Sequence, residues 1–133
     1  MAANPQTSSP SYRDIRVWQY AMQLAVDTYQ IASQLPPGEK PGLATHLQQV
    51  TAAIPALIAN GHRSGSRHTM LANCERALLY ADELDTLLVI TGQLHPSVPS
   101  NDLVDQLDEV RNMLATAIAR LANKTAPTNR KTV

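Results

Sequence analysis

Three clusters of helix-breaking residues, "PPGEKPG" at 36–42, "GHRSGS" at 61–66 and "HPSVPSN" at 95–101, cut the chain into four long segments. Proline, glycine and serine in such clusters are loop chemistry. Within every segment the apolar residues return at steps of three and four, which sets them along one face of a helix with 3.6 residues per turn. Four amphipathic helices joined by short loops place consecutive helices antiparallel. The expected fold is therefore all-α, an antiparallel up-down-up-down four-helix bundle. No alternating strand pattern competes, and no internal repeat is visible.

The first segment, from about Ser11 to Leu35, carries two stripes. Ile15, Trp18, Met22, Ala25, Tyr29 and Ala32 form one; Val17, Ala21, Leu24, Ile31 and Leu35 form the other. A helix with two apolar stripes is covered on more than one side. The second segment holds Leu43, Leu47, Val50, Ile54, Leu57 and Gly61 in phase, and the phase runs straight through Pro55. Ile54 has no side-chain acceptor and is a poor N-cap. Pro55 is therefore expected inside a single helix, kinking it, because it withholds an amide from the Thr51 carbonyl at a cost of about 3 kcal/mol.

The third segment, about Ser66 to Gln93, opens on Ser66 as N-cap and follows Leu71, Cys74, Leu78, Ala81, Leu84 and Leu88. Its run "LLVI" at 87–90 is apolar around nearly the whole helix, as expected where another subunit covers the far side. Val17, Leu24, Leu87 and Ile90 are accordingly the expected oligomer-interface residues. The fourth segment starts at Asn101 or Asp102, with Leu103, Leu107, Val110, Leu114, Ile118 and Leu121 on its stripe. Asp102, Asp105, Asp108 and Glu109 come early and Arg120 and Lys124 late, an order that suits the helix dipole.

Composition narrows the function. The 133 residues suit one domain, with polar tails expected to be disordered at 1–10 and 125–133 around a bundle at 11–124. Only 4% of the chain is aromatic and Phe is absent, so the core must be aliphatic. Lys plus Arg equals Asp plus Glu at 11 each, which disfavours nucleic acid as the main partner, since phosphate binding draws on excess positive charge. Zero net charge also favours association. One cysteine permits no internal disulfide, and no secretory pattern or long apolar run is present, so the chain is expected to be cytoplasmic, with no membrane partner.

Several groups qualify as candidate sites. His62, Arg63, Arg67 and His68 gather at a helix start, where amides and guanidiniums suit an anion or nucleic-acid phosphate; a solvated basic loop is the competing reading. Cys74 falls on the core stripe and reads as a structural thiol. The histidines at 46, 62, 68 and 95 lack metal-ligand spacing, and no facing Glu-x-x-His pairs exist, so no metal, cofactor or small-molecule substrate is expected. Asp82, Glu83 and Asp85 read as a solvated acidic face, and Trp18 and Tyr29 as core.

The stretches "YRDIRVWQYAMQLAVDTYQ" at 12–30, "GL" at 42–43, "IPALIANGHRSGSR" at 54–67 and "DELDTLL" at 82–88 resemble the family of bacterial ribosomal intervening-sequence proteins. The resemblance spans about residues 12–122. It implies a four-helix bundle assembled as a homopentamer and, for the family, an association with ribosomal RNA. At the family's Ser-Ile-Pro-x-Asn-Ile-Ala-Glu-Gly bend this chain has Ala53, Leu57 and Asn60, and Gln48 and Gln49 replace a pair of arginines. Leu79 and Tyr80 stand where Gly-Ser is usual. Fold-defining residues match while polar and basic ones are replaced. The expected function is a non-enzymatic, homo-oligomeric interaction or scaffolding module, the alternative being an RNA-binding accessory protein.

Overall fold

A computed structural model of the chain describes residues 11–125. Four α-helices make up the fold: α1 at Arg16–Ser33, α2 at Thr45–Arg63, α3 at Arg67–Leu94 and α4 at Asn101–Thr125. No strand occurs among the described residues. The tails at 1–10 and 126–133 lie outside them, and α4 includes Thr125, one residue past the expected bundle boundary.

The first helix begins later than its stripes suggest. Ser11 caps a 3-10 turn at Tyr12–Asp14 by accepting a hydrogen bond from the Arg13 amide, and Ile15 is extended before α1 starts. The turn folds back so that the Tyr12 and Trp18 rings meet edge to face, with centroids 5.3 Å apart. The stretch 36–42, expected as loop, is instead mostly helical turns. A 3-10 turn covers Pro37–Glu39 and a π-helical turn Lys40–Ala44, and each carries a proline in its first turn, where a missing amide costs no helical bond.

Helix α2 runs unbroken through Pro55, as the stripe phase predicts. It ends at a tight turn in which Gly65 has φ +70°, a left-handed conformation that glycine adopts without steric penalty. Ser66 then caps α3, its hydroxyl accepting from the Thr69 amide.

Each helix packs on its successor, and α4 returns to α1. Along the α2–α3 seam His46 meets Glu83, while Asn73 meets Leu57 and Asn60. Fully buried Leu24, Leu47, Ile54, Ile58, Leu84, Leu88, Leu107 and Leu114 fill the centre. This corrects the interface expectation. Val17, Leu24 and Leu87 belong to the core of the single chain, at 7%, 0% and 6% exposed, and have no surface to offer a neighbour. Of the four residues only Ile90 stays outside.

Three buried threonines divide into two kinds. Thr28 and Thr91 donate their hydroxyls to the carbonyls of Leu24 and Leu87. The Thr51 hydroxyl, one turn before Pro55, is buried with no hydrogen-bond partner among the described residues. A buried unsatisfied polar group costs about 1–3 kcal/mol, so removing it with little change of shape is favourable. Thr51→Val is expected to raise stability by about 1 kcal/mol. Denaturant melts check this, and a lower midpoint would show that the hydroxyl has a partner.

Candidate interaction surface

Residues of helices α1 and α2 line an open groove of about 600 Å³ that is almost wholly apolar. Trp18, Met22, Val26 and Tyr29 supply one wall. They recur at four, four and three residues, so they share a face of α1. Ala52, Pro55, Ala56 and Ala59 of α2 form the floor, and Tyr12 closes one end. Trp18, Met22, Ala25 and Tyr29 of the first α1 stripe thus line the groove, while Ala32 and the second stripe belong to the core. Trp18 is half-buried and Tyr29 is 44% exposed, so the expectation that both are core residues fails for Tyr29.

Further exposed apolar residues lie on α3, with Val89, Ile90 and Leu94 grouped near its end and Leu79 apart from them. Leu79 is 69% exposed, Val89 52%, Ile90 39% and Leu94 61%. Leu87 and Leu88 point inward and Val89 and Ile90 outward, which is how "LLVI" covers the whole circumference.

The turn between α2 and α3 holds His62, Arg63, Arg67 and His68. Arg63, Arg67 and His68 are exposed and His62 is half-buried. The Ser66 hydroxyl already occupies the Thr69 amide, so that donor of the helix start is satisfied by the chain itself.

Residues 13–116 match the family described as 23S rRNA-intervening sequence protein. The chain belongs to this family. No curated protein and no solved structure gives a significant match.

In this intervening-sequence protein the remaining reactive side chains are engaged in the fold. Asp82 and Asp85 face Arg111 at 2.9 and 3.6 Å, and Glu83 meets His46 at 2.9 Å. The acidic face is thus paired across the α2–α3 and α3–α4 seams rather than simply solvated. Glu39 meets His95 at 2.6 Å and ties the turn after α1 to the end of α3. The pairs of Glu83, Asp82 and Asp85 are exposed enough that each contributes at most about 1 kcal/mol. No group of three His, Cys, Asp or Glu residues suited to a metal occurs among the described residues. No helix among them is long and apolar enough to cross a membrane.

Asn73 was not singled out by periodicity. It is buried on α3 and donates to the Leu57 carbonyl at 3.0 Å and to Asn60 Oδ1 at 2.9 Å. An asparagine on a core-facing helix position was the available signal. Asn60, standing where the family motif has Glu, retains a polar contact between α2 and α3 without charge.

Cys74 is fully buried. Burial, and secondarily the charge of Glu75, push its thiol pKa up, which suppresses the nucleophilic thiolate. Alkylation by iodoacetamide is expected to be at least about 100-fold slower in native protein than in denatured protein. Comparable rates in the two states would place the thiol at the surface.

Proposed function

We propose that the chain is a non-enzymatic, self-associating scaffold, an up-down-up-down bundle with α2 bent at Pro55. The observation that carries this reading is the apolar α1–α2 groove, open to solvent along Trp18, Met22, Val26 and Tyr29. A contiguous exposed apolar surface of this kind marks an interaction site. Antiparallel packing of α2 and α3 is supported by their pairing, since 46 lies opposite 83 and 60 opposite 73. The bend is supported by chemistry: proline gives no amide to the Thr51 carbonyl and its ring crowds that turn. The family resemblance implies a homopentamer, and sedimentation equilibrium at micromolar concentration tests it. The expected result is an assembly well above the 14.5 kDa chain mass; a monomer would overturn the reading.

A second reading, an RNA-binding accessory protein of the cytoplasm, draws on the family's description and on the exposed Arg63 and Arg67. Affinity for structured RNA across a salt series separates the two. Phosphate contacts give a steep fall of affinity with salt, and the scaffold reading expects weak, shallow binding.

A further inference from the structure

The chain carries two unpartnered apolar surfaces on different helices, and they differ in shape. The α1–α2 surface is concave; on the convex face of α3, Ile90 and Leu94 form a ridge one turn long with Val89 beside it, and Leu79 lies three turns up the same face beyond exposed Glu83 and Thr86. We propose that the groove of one copy receives the α3 ridge of a second copy, so that chains join head to tail. The proposal rests on the self-association reading above and names the surfaces that produce it.

Three observations favour this occupant. The groove floor is built for a helix, because Ala52, Ala56 and Ala59 share one face of α2 and let an incoming backbone approach closely. The charges at one end are complementary. Arg63 extends the alanine face by one turn, and Arg13, which stacks 5.4 Å from the centre of the Tyr12 ring at the groove's end, is offset by its neighbour Asp14, so a net positive charge remains there. Around Leu79 on the same face as the ridge, Glu75, Arg76 and Glu83 leave a net negative charge. Finally, pairing groove with groove, or ridge with ridge, would leave the other apolar patch in water. A contact between unlike surfaces covers both, and it closes into a ring when the rotation between copies permits.

The test uses two charge variants of the whole chain at exposed positions, Val26→Asp in the groove and Ile90→Asp on the ridge. Each should keep the wild-type helical circular dichroism and sediment alone as a 14.5 kDa monomer. The Val26→Asp chain retains a sound ridge and the Ile90→Asp chain a sound groove. Their equimolar mixture should therefore yield a species of twice the chain mass and nothing larger. If either variant fails to fold, Tyr29→Glu and Leu94→Glu replace it on the respective surfaces. A mixture that stays monomeric, or a variant that keeps the wild-type assembly, overturns the groove–ridge pairing. Wild-type protein that is itself monomeric overturns the self-association reading along with it.

Discussion

Leu87→Asp is expected to unfold the chain, whereas Ile90→Asp three residues later leaves the single bundle intact. Leu87 is 6% exposed and packs in the aliphatic core, so an aspartate there is an unpaired charge with no route to water. Such a charge costs on the order of 3–5 kcal/mol, a large share of the about 5–15 kcal/mol that holds a typical domain together. Ile90 lies outside, and its change should alter monomer stability by no more than about 0.5 kcal/mol. Thermal melts by circular dichroism at low, matched concentrations read both, so that assembly does not add to the apparent stability. A cooperative wild-type-like melt for Leu87→Asp would mean that α3 is rotated from the orientation described.

The second large effect is expected at Gly61. A Cβ there would lie 2.7 Å from Met70 Sδ, 3.1 Å from Met70 Cα and 3.4 Å from Asn73 Cβ. The sulfur can swing aside, but the Met70 backbone moves only with α3. For Gly61→Ala the small displacement opposes a gain of about 1 kcal/mol in helix propensity, and the net change should be small. Gly61→Leu has no such balance. It must pry α2 from α3, and it breaks the hydrogen bonds of Asn73 to Leu57 and Asn60 on the way. The expected loss is about 3 kcal/mol, at the upper end for an overpacked core. A Leu variant within about 1 kcal/mol of wild type would show that the helices separate easily there.

Helix number and connection were legible because three-and-four spacing and proline–glycine clusters are local signals. The continuity of α2 through Pro55 was legible for the same reason: a break would have shifted the phase of Ile54 and Leu57. Orientation was another matter. On α1 both stripes are about equally apolar, and periodicity alone does not say which one meets the rest of the bundle. Periodicity thus allows Val17 and Leu24 to face outward, yet they face in, while Tyr29 and Val26 face out. The same ambiguity put Leu87 with Ile90: they are neighbours about 60° apart around α3, yet the core boundary runs between them, leaving Leu87 buried and Ile90 exposed. The seam between α2 and α3 was hidden for a different reason. Contacts such as Glu83 with His46, or Asn73 with Asn60, join residues far apart in sequence, and no spacing rule reaches that far.

The order in which the helices pack has a kinetic consequence. Three of the four seams join neighbours along the chain, and only the α1–α4 seam closes a long loop. Loop closure is the slow, entropically costly part of forming a topology, so a chain dominated by near-neighbour contacts should fold in milliseconds or faster. The α1–α4 seam holds less contact than the others and is tethered by Gln106 donating to Asp27 at 3.0 Å. It is the place where the bundle should form last and open first. Amide exchange in the native state should then show α1 losing protection at a lower free energy than the α2–α3 pair, the bundle opening like a book along that one edge.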